Sequence, residues 1–328
     1  MPDHPRHDVE VSDADRLPDQ PAVSVGIITY NHERYLDQAL GSVLAQRTDF
    51  PFEVLVYEDC STDRTRDIAL DYQHRYPDKV RVLFSAGNVG VGENARRGIA
   101  AYRGRYAAGL DGDDSWTDPL KLQKQHDALE AHPDLNLCFT RAAALRPDGT
   151  RVPGWNYGGR DRVVSMRELL RTPGMTMPTS TCFFRTRVLQ DAPDWIFGAP
   201  VIDLFHIMGG IAPRGAWYLD AETAEYRVMA PGSWTSGHAD QYHQTKLDHS
   251  RRMLDSLAAA QNAFGIGDAD LRLLRSLPHY LLGREALAKG QWRAGLRHLR
   301  RMGIGYPLLR ARHRLGLPYG RKEPAAEG

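Results

Sequence analysis

Short apolar and β-branched runs recur along the first third of this chain, separated by helical patterns, and they narrow its fold to one class. Residues 23–29 read Val-Ser-Val-Gly-Ile-Ile-Thr, which is typical of a strand buried on both faces of a parallel sheet. A helix is predicted over 35–45, where apolar residues recur at helical spacing. Further strands are predicted at 52–57, 80–84 and 105–110, with helices beginning near residue 61 and at residue 90. This alternation predicts an α/β fold with a doubly wound, mostly parallel sheet.

The composition is that of an ordinary globular protein. Of 328 residues, 42% are hydrophobic and 25% are charged, with a formal net charge of +1, which excludes a disordered or fibrous chain. The three cysteines are scattered, which argues against a disulfide framework or a zinc cluster and favours a reducing compartment.

The first 21 residues are polar and charged, and they are predicted to form a flexible tail rather than a secretory signal. The sequence contains no apolar run of about 18 residues, the length that a membrane-spanning helix needs. We therefore expect a protein of the cytoplasm or of the cytoplasmic face of a membrane.

The C-terminal region is predicted to be helical and is strongly basic. Helical patterns begin near residue 245, and Gly290 is predicted to separate two helices. Residues 251–328 contain 15 Lys and Arg against six Asp and Glu, which favours an anionic partner. Basic and apolar residues are interleaved near its end: Leu296, Arg297, Leu299, Arg300, Arg301, Leu308, Leu309, Arg310, Arg312 and Arg314. This pattern indicates peripheral contact with anionic lipid; packing on the rest of the chain or on a second subunit explains it equally well.

Polar residues and glycines follow each predicted strand of the first third. They lie in the segments Thr29 to Glu33, Glu58 to Asp63, Ser85 to Gly90 and Asp111 to Asp114. Because ligands bind at the carboxyl ends of strands in open α/β sheets, these segments predict a polar ligand site at one edge of the sheet.

Three of these segments resemble the motifs of family 2 glycosyltransferases with the GT-A fold. They are Ser24 to Asn31, the acidic segment Glu58 to Thr65, and Asp111-Gly-Asp113 with the residues up to Pro119. The resemblance implies a nucleotide-sugar-binding half over 22–140, an acceptor-binding half over 141–244 and a basic helical extension over 245–328. It also implies transfer of a sugar with inversion.

The resemblance assigns roles to residues at the predicted edge. Asp113 is the expected ligand of Mn²⁺ or Mg²⁺, which prefer hard oxygen ligands. Asp59 is expected to accept the imide N–H of uracil or thymine; the alternative is an acid placed at a helix N-terminus. The remaining donor-binding candidates are Thr29, Tyr30, Asn31, Glu33, Asn94, Asp111 and Gly112.

The catalytic base is expected to be Asp203, which matches the family position at the start of a helix in the acceptor half. Asp194 and Asp220 are rival candidates. Many relatives carry a histidine shortly after a Tyr-Arg pair, and this chain lacks it after Tyr226-Arg227. His238 is a candidate substitute.

The expected donor is a UDP-sugar, although a dTDP-sugar presents the same base edge. The acceptor class stays open among glycans, lipid-linked glycans and small molecules, and no nucleic-acid partner is expected. Two other functions are weighed. A sugar-phosphate nucleotidyltransferase would need a basic Gly-rich phosphate loop after the first strand, which residues 29–34 lack. A non-catalytic nucleotide-sugar-binding protein would not need Asp111, Asp113 and Asp203 together.

Overall fold

The structure is a computed structural model that describes residues 9–170, 177–228, 230 and 244–302. The strands are β1 (Val9–Val11), β2 (Val23–Thr29), β3 (Phe52–Glu58), β4 (Val80–Phe84), β5 (Tyr106–Asp111), β6 (Ser115–Trp116), β7 (Leu137–Leu145), β8 (Arg151–Pro153), β9 (Arg162–Val164), β10 (Cys182–Arg185) and β11 (Ala216–Arg227). The helices are α1 (Leu36–Leu44), α2 (Thr65–Arg75), α3 (Gly90–Ala100), α4 (Lys121–Ala131), α5 (Met166–Leu170), α6 (Thr186–Gln190), α7 (Ile202–Ile211), α8 (Gln244–Phe264), α9 (Asp268–Ala288) and α10 (Trp292–Met302). Short 3-10 helices cover Thr179–Thr181 and Asp194–Gly198.

The strands form one sheet in the order β1-β4-β3-β2-β5-β10-β7-β11-β6, with β8 beside β7 and β9 beside β11. Its centre, β4-β3-β2-β5, is parallel, and antiparallel pairs flank it. Strands β3 and β4 lie on one side of β2, whereas β5 lies on its other side. The strand order therefore reverses direction beside β2. Ligands bind at such a switch point in open α/β sheets. The predicted α/β class with a mostly parallel central sheet and helical C-terminal region is confirmed.

Alternate residues of the central strands fill separate apolar clusters on the two faces of the sheet, as the two-residue period of a strand requires. Val54 and Val56 belong to one cluster, and Leu55 and Tyr57 to the other. A side chain at Gly26 of β2 would overlap the hydroxyl of Tyr102. Any residue with a side chain at this position would therefore displace Tyr102, and also Tyr57, whose hydroxyl would lie 2.7 Å away.

Strand β1 lies within the segment predicted to be a flexible tail, and here the structure differs from the prediction. Val9–Val11 pair antiparallel with β4, and Glu10 forms an ion pair with Arg81 at 2.9 Å. The tail has few apolar residues, but its backbone can pair with the free edge of β4, and its Glu10 can pair with the largely buried Arg81 of that strand. Residues 1–8 lie outside the described residues.

The second half of the chain agrees with the predictions in part. Residues 216–227 of the acceptor half form one long strand, β11, which changes register between Tyr218 and Ala224. The predicted break at Gly290 is confirmed, since this residue has a φ of 72° and follows the end of α9. No helix in the described part of the chain is long and apolar enough to cross a membrane.

The C-terminal helices pack on the helix that carries Asp203. Phe205 and Met208 of α7 lie in one apolar cluster with Leu257 of α8 and Leu271 of α9. The described C-terminal helices therefore extend the core of the sheet domain through α7.

Lys121, at the start of α4, is fully buried. Its ammonium group donates a hydrogen bond to Gln125 and lies 4.5 Å from the centre of the Trp116 ring. Burial lowers the pKa of Lys121 from its usual 10.5 to about 7, because the charged form loses its hydration.

This burial makes the stability of the protein depend on pH. Between about pH 7 and pH 10 the unfolded chain holds a proton on Lys121 that the folded chain lacks, so the free energy of unfolding should rise by about 1.4 kcal/mol per pH unit. Lys121→Met should lose this increment, as measured by urea unfolding across that range. Lys124→Met, at an exposed position of the same helix, should keep it. Parallel pH curves for the wild type and Lys121→Met would contradict the prediction.

Candidate active site

The loops that follow β2, β3 and β5 are joined at the switch point by backbone hydrogen bonds. The Asp59 N–H donates to the carbonyl of Thr29 at 3.1 Å, and the Gly112 N–H donates to the carbonyl of Ile28 at 2.9 Å. The sheet register places Asp111 directly beside Ile28. The predicted residues on these three loops therefore lie at one edge of the sheet.

The loop after β2 is tied to the loop after β3 by its own polar groups. Asn31 adopts a left-handed conformation with a φ of 55°. Its side-chain oxygen accepts a hydrogen bond from the Thr62 N–H at 2.9 Å, and Glu33 accepts one from the Arg64 N–H at 3.2 Å. Tyr30 is 38% exposed. Asn31 and Glu33 therefore shape the loop, and Tyr30 presents an aromatic surface at the edge.

Asp59 is placed as the alternative prediction describes, at the N-terminal end of α3. Its two carboxylate oxygens accept hydrogen bonds from the N–H groups of Val89 and Gly90, at 2.8 and 2.9 Å. Burial raises the pKa of Asp59, and these hydrogen bonds oppose that shift. A base contact by this carboxylate would have to use its remaining lone pairs.

Asn94 is buried near the start of α3. Its side chain donates to the carbonyl of Tyr57 at 2.9 Å and accepts from Arg97 at 2.8 Å. The bond to Tyr57 holds α3 against β3. A donor contact would use the remaining N–H or lone pair of this side chain, and the donor-facing role stays a prediction.

The turn that follows β5 rests on the loop after β2. A side-chain carbon at Gly112 would lie 2.7 Å from the hydroxyl of Thr29 and 2.6 Å from Nδ1 of His32, so a larger residue would displace the turn. Oγ1 of Thr29 and Nδ1 of His32 are themselves within hydrogen-bond distance, at 3.2 Å. His32 is not among the predicted site residues, although it stands in the same segment as Thr29 and Asn31.

The carboxylates of Asp111, Asp113 and Asp203 interact electrostatically at this turn, and we call these three residues the acidic cluster. Burial, together with the charges of Asp113 and Asp203, raises the pKa of Asp111 to about 8. Burial also raises the pKa of Asp203, opposed by the Leu204 N–H, which donates to its Oδ1 at 2.9 Å. A bound cation would relieve the repulsion in such a cluster.

The donor set fits a divalent cation that also binds a substrate. The carboxylates of Asp111 and Asp113 are hard oxygen ligands, and along the described ranges neither has a hydrogen-bond or ion-pair partner. Within those ranges no group of three His, Cys, Asp or Glu side chains is arranged to hold a metal. Mg²⁺ is usually held by one or two carboxylates plus substrate phosphates and water. The acidic cluster therefore fits a cation that takes its remaining ligands from substrate phosphates and water, rather than a site in which every ligand comes from the protein.

Of the three candidates for the catalytic base, Asp203 is the one whose charge raises the pKa of Asp111. Asp194 is exposed on its 3-10 helix. Asp220 forms an ion pair with Arg141 at 3.2 Å and accepts the hydroxyl of Tyr218 at 3.0 Å. Asp194 therefore faces solvent, and Asp220 is paired with Arg141 and Tyr218.

A close contact between helices brings Asp203 to the acidic cluster. A side chain at Gly92, in the first turn of α3, would overlap the carbonyl oxygen of Phe197 and lie 3.5 Å from Ile202. Glycine at this position therefore lets the start of α7 approach α3. His238 lies outside the described residues.

Known proteins resemble this chain in sequence. A model of the family described as Glycosyl transferase family 2 matches residues 24–191. The protein Rv1520 of Mycobacterium tuberculosis is 34% identical over 218 residues, which is 66% of this chain and 62% of that protein. The putative teichuronic acid biosynthesis glycosyltransferase TuaG of Bacillus subtilis is 33% identical over 131 residues, 40% of this chain and 50% of TuaG. The matched segment thus spans less than two thirds of either relative.

Solved structures resemble it in fold. Residues 1–349 of S. aureus TarS, in complex with UDP-GlcNAc, superpose with a TM-score of 0.64 at 18% identity, covering 93% of this chain and 99% of that one. The mannosyltransferase PcManGT from Pyrobaculum calidifontis, with GDP-Man and Mn²⁺, gives 0.52 at 16% identity, covering 90% and 81%. These similarities confirm the predicted GT-A type of fold.

Proposed function

Because this chain belongs to glycosyl transferase family 2, we propose that it is a metal-dependent enzyme that moves a sugar, with inversion, from a UDP-sugar or a dTDP-sugar to an acceptor hydroxyl. The observation that carries the proposal is that the loops with Thr29, Asp59 and Asp111 are joined at the switch point of the sheet, where the acidic cluster also lies. Residues 22–140 would bind the donor, and residues 141–244 the acceptor.

The donor would bind across the edge of the sheet. Thr29 and Gly112 line the junction of two loops there, and Tyr30 offers an exposed ring, while Asn31 and Glu33 shape the loop. Asp59 and Asn94 would act mainly by holding α3 in place. Asp113 would hold Mn²⁺ or Mg²⁺ directly, and Asp111 would contact the ribose or a metal-bound water. Such a cation, when bound, neutralises the charge that develops on the departing diphosphate.

Asp203 would act as the base. Its carboxylate would accept the proton of the acceptor hydroxyl as that oxygen attacks the anomeric carbon from the face opposite the diphosphate. Burial raises its pKa, which makes it a better proton acceptor than an exposed aspartate. Because Asp203 lies in the first turn of α7, the helix dipole stabilises its ionised carboxylate.

Donor and acceptor are proposed at the level of chemical class. TarS was crystallised with UDP-GlcNAc and PcManGT with GDP-Man, and TuaG carries a name that refers to teichuronic acid. These similarities support a nucleotide-sugar donor. A role in the synthesis of a glycan, a cell-surface polysaccharide or a glycoconjugate would follow, with a glycan, a lipid-linked glycan or a small molecule as acceptor.

A donor assay separates the proposed function from its two alternatives. Purified protein is incubated with UDP-sugars and Mn²⁺ without acceptor, and UDP release is measured. Slow release that stops with EDTA is the expected result. Release of UTP from UDP-glucose and pyrophosphate would indicate a nucleotidyltransferase. Donor binding without release, in the presence of a broad acceptor panel, would indicate a binding protein.

We also propose that α10 contacts the cytoplasmic face of a membrane. Trp292 is 66% exposed and Leu296 is 51% exposed, and residues four apart share one face of a helix. The arginines Arg293, Arg297 and Arg300 are exposed beside them. Exposed apolar side chains among cations favour the surface of an anionic bilayer. Arg310, Arg312 and Arg314 lie outside the described residues.

Vesicle sedimentation tests this contact. The full chain should sediment with vesicles that contain phosphatidylglycerol, less so in high salt, and not with pure phosphatidylcholine. A Trp292→Ser, Leu296→Ser variant and a truncation at about residue 290 should both lose binding. Equal binding by all three proteins would refute the proposal.

A further inference from the structure

Arg227, the last residue of β11, contacts both the turn after β5 and the start of α1. Its backbone N–H donates to Oδ1 of Asp114 at 2.8 Å, and its Nε donates to the backbone carbonyl of Asp113 at 3.0 Å. Its Nη2 donates to the side-chain oxygen of Gln38 at 3.1 Å, and its guanidinium lies 4.7 Å from the centre of the Tyr35 ring. One side chain thus joins β11, the turn after β5 and the start of α1.

These contacts give the turn a second support. The turn already rests on Thr29 and His32 through Gly112. Arg227 binds the backbone carbonyl of the next residue, Asp113, so the turn is held by residues that lie at least 195 positions apart in the chain. Oδ2 of Asp114 is buried without a partner in the described part of the chain. The bond to its Oδ1 comes from the backbone of Arg227, so only the bond to the Asp113 carbonyl depends on the Arg227 side chain.

We propose that Arg227 is a positioning residue for cation binding: by fixing the carbonyl of Asp113, it sets the direction in which the Asp113 carboxylate points. The proposal rests on the proposed function in one respect, that Asp113 is the metal ligand. Groups that orient a metal ligand typically change metal affinity about 10- to 100-fold when they are removed. The guanidinium is suited to the task because its planar fork presents several donors in fixed directions, whereas the ammonium of lysine is a single point.

The main test measures Mn²⁺ binding rather than turnover. Free Mn²⁺ is followed by EPR during titration of the protein in the presence of UDP. Arg227→Met should bind Mn²⁺ about 10- to 100-fold more weakly than the wild type, and Arg227→Lys should recover only part of the loss. With excess Mn²⁺, the kcat of donor hydrolysis should return towards the wild-type value, since the base and the metal ligand are intact.

Arg151→Met is the matched control. Arg151 is exposed and forms ion pairs with Glu222 and with Glu225, at 2.6 Å for the latter, on the same strand β11. This variant also removes a guanidinium that is bound to β11, but it leaves the turn untouched, so its Mn²⁺ affinity should equal that of the wild type. An equal loss in both variants would assign the effect to the strand and overturn the proposal. Unchanged Mn²⁺ affinity in Arg227→Met would also overturn it.

Hydrogen exchange distinguishes this proposal from the proposed function. In the metal-free protein, amides of residues 112–116 should exchange faster in Arg227→Met and Arg227→Lys than in the wild type, because the turn loses a support. If the wild type binds no Mn²⁺ yet exchange speeds up, the turn is held as described and the metal-dependent function is wrong. If exchange in the turn is unchanged in both variants, Arg227 does not position it.

Discussion

Asp113→Ala is expected to abolish sugar transfer, with a loss of at least about 1000-fold, and to remove the Mn²⁺ dependence of UDP binding. The variant should fold normally. Along the described ranges the Asp113 carboxylate makes no hydrogen bond or ion pair, so alanine removes no stabilising contact. It also removes one of the charges that raise the pKa of Asp111.

Three measurements check this expectation: donor hydrolysis, Mn²⁺ titration in the presence of UDP, and thermal unfolding. The melting temperature should change by less than about 4 °C. Asp127→Ala, which removes an exposed carboxylate of α4, should behave like the wild type in all three. Turnover by Asp113→Ala that still rises with Mn²⁺ would mean that the cation is held by other residues.

Asp203→Asn is expected to reduce transfer about 100- to 10,000-fold, the usual contribution of a positioned base. UDP affinity should stay within about threefold of the wild type, since the lost interaction serves the reaction rather than donor binding. Asparagine has nearly the same shape, and its side-chain oxygen can still accept the hydrogen bond from the Leu204 N–H. It lacks a carboxylate that can take up the acceptor proton.

The neighbouring carboxylates serve as controls for this variant. Asp194→Asn alters an exposed position, and Asp220→Asn weakens the ion pair with Arg141. Both should keep most of the transfer activity. A near-wild-type rate in Asp203→Asn would show that the base lies elsewhere, and a large loss in one of the other two would identify it.

The sequence by itself determined the central architecture and the edge at which the site lies. Six of the seven positions of the run at 23–29 are buried, and most of them are apolar, as is typical of a strand inside a parallel sheet that is covered on both faces. Once the strands are parallel and their connections right-handed, their carboxyl ends must meet at one edge. The sequence therefore predicts that the polar segments with Thr29, Asp59 and Asp111 lie together, and the register of the sheet brings them together.

Only the tertiary structure decided what each polar side chain at that edge contacts. Asp59 and Asn94 look like ligand-binding residues in the sequence, and the structure shows that their side chains also form hydrogen bonds that hold α3 beside β3. Arg227 is the last residue of a strand, yet its side chain contacts a turn more than 110 positions earlier in the chain. Local patterns report burial and backbone preference, because these depend on near neighbours. Hydrogen-bond partners and charge neighbours depend on residues that only the folded chain brings into contact, so the distinction between residues that bind the substrate and residues that support the site comes from the structure.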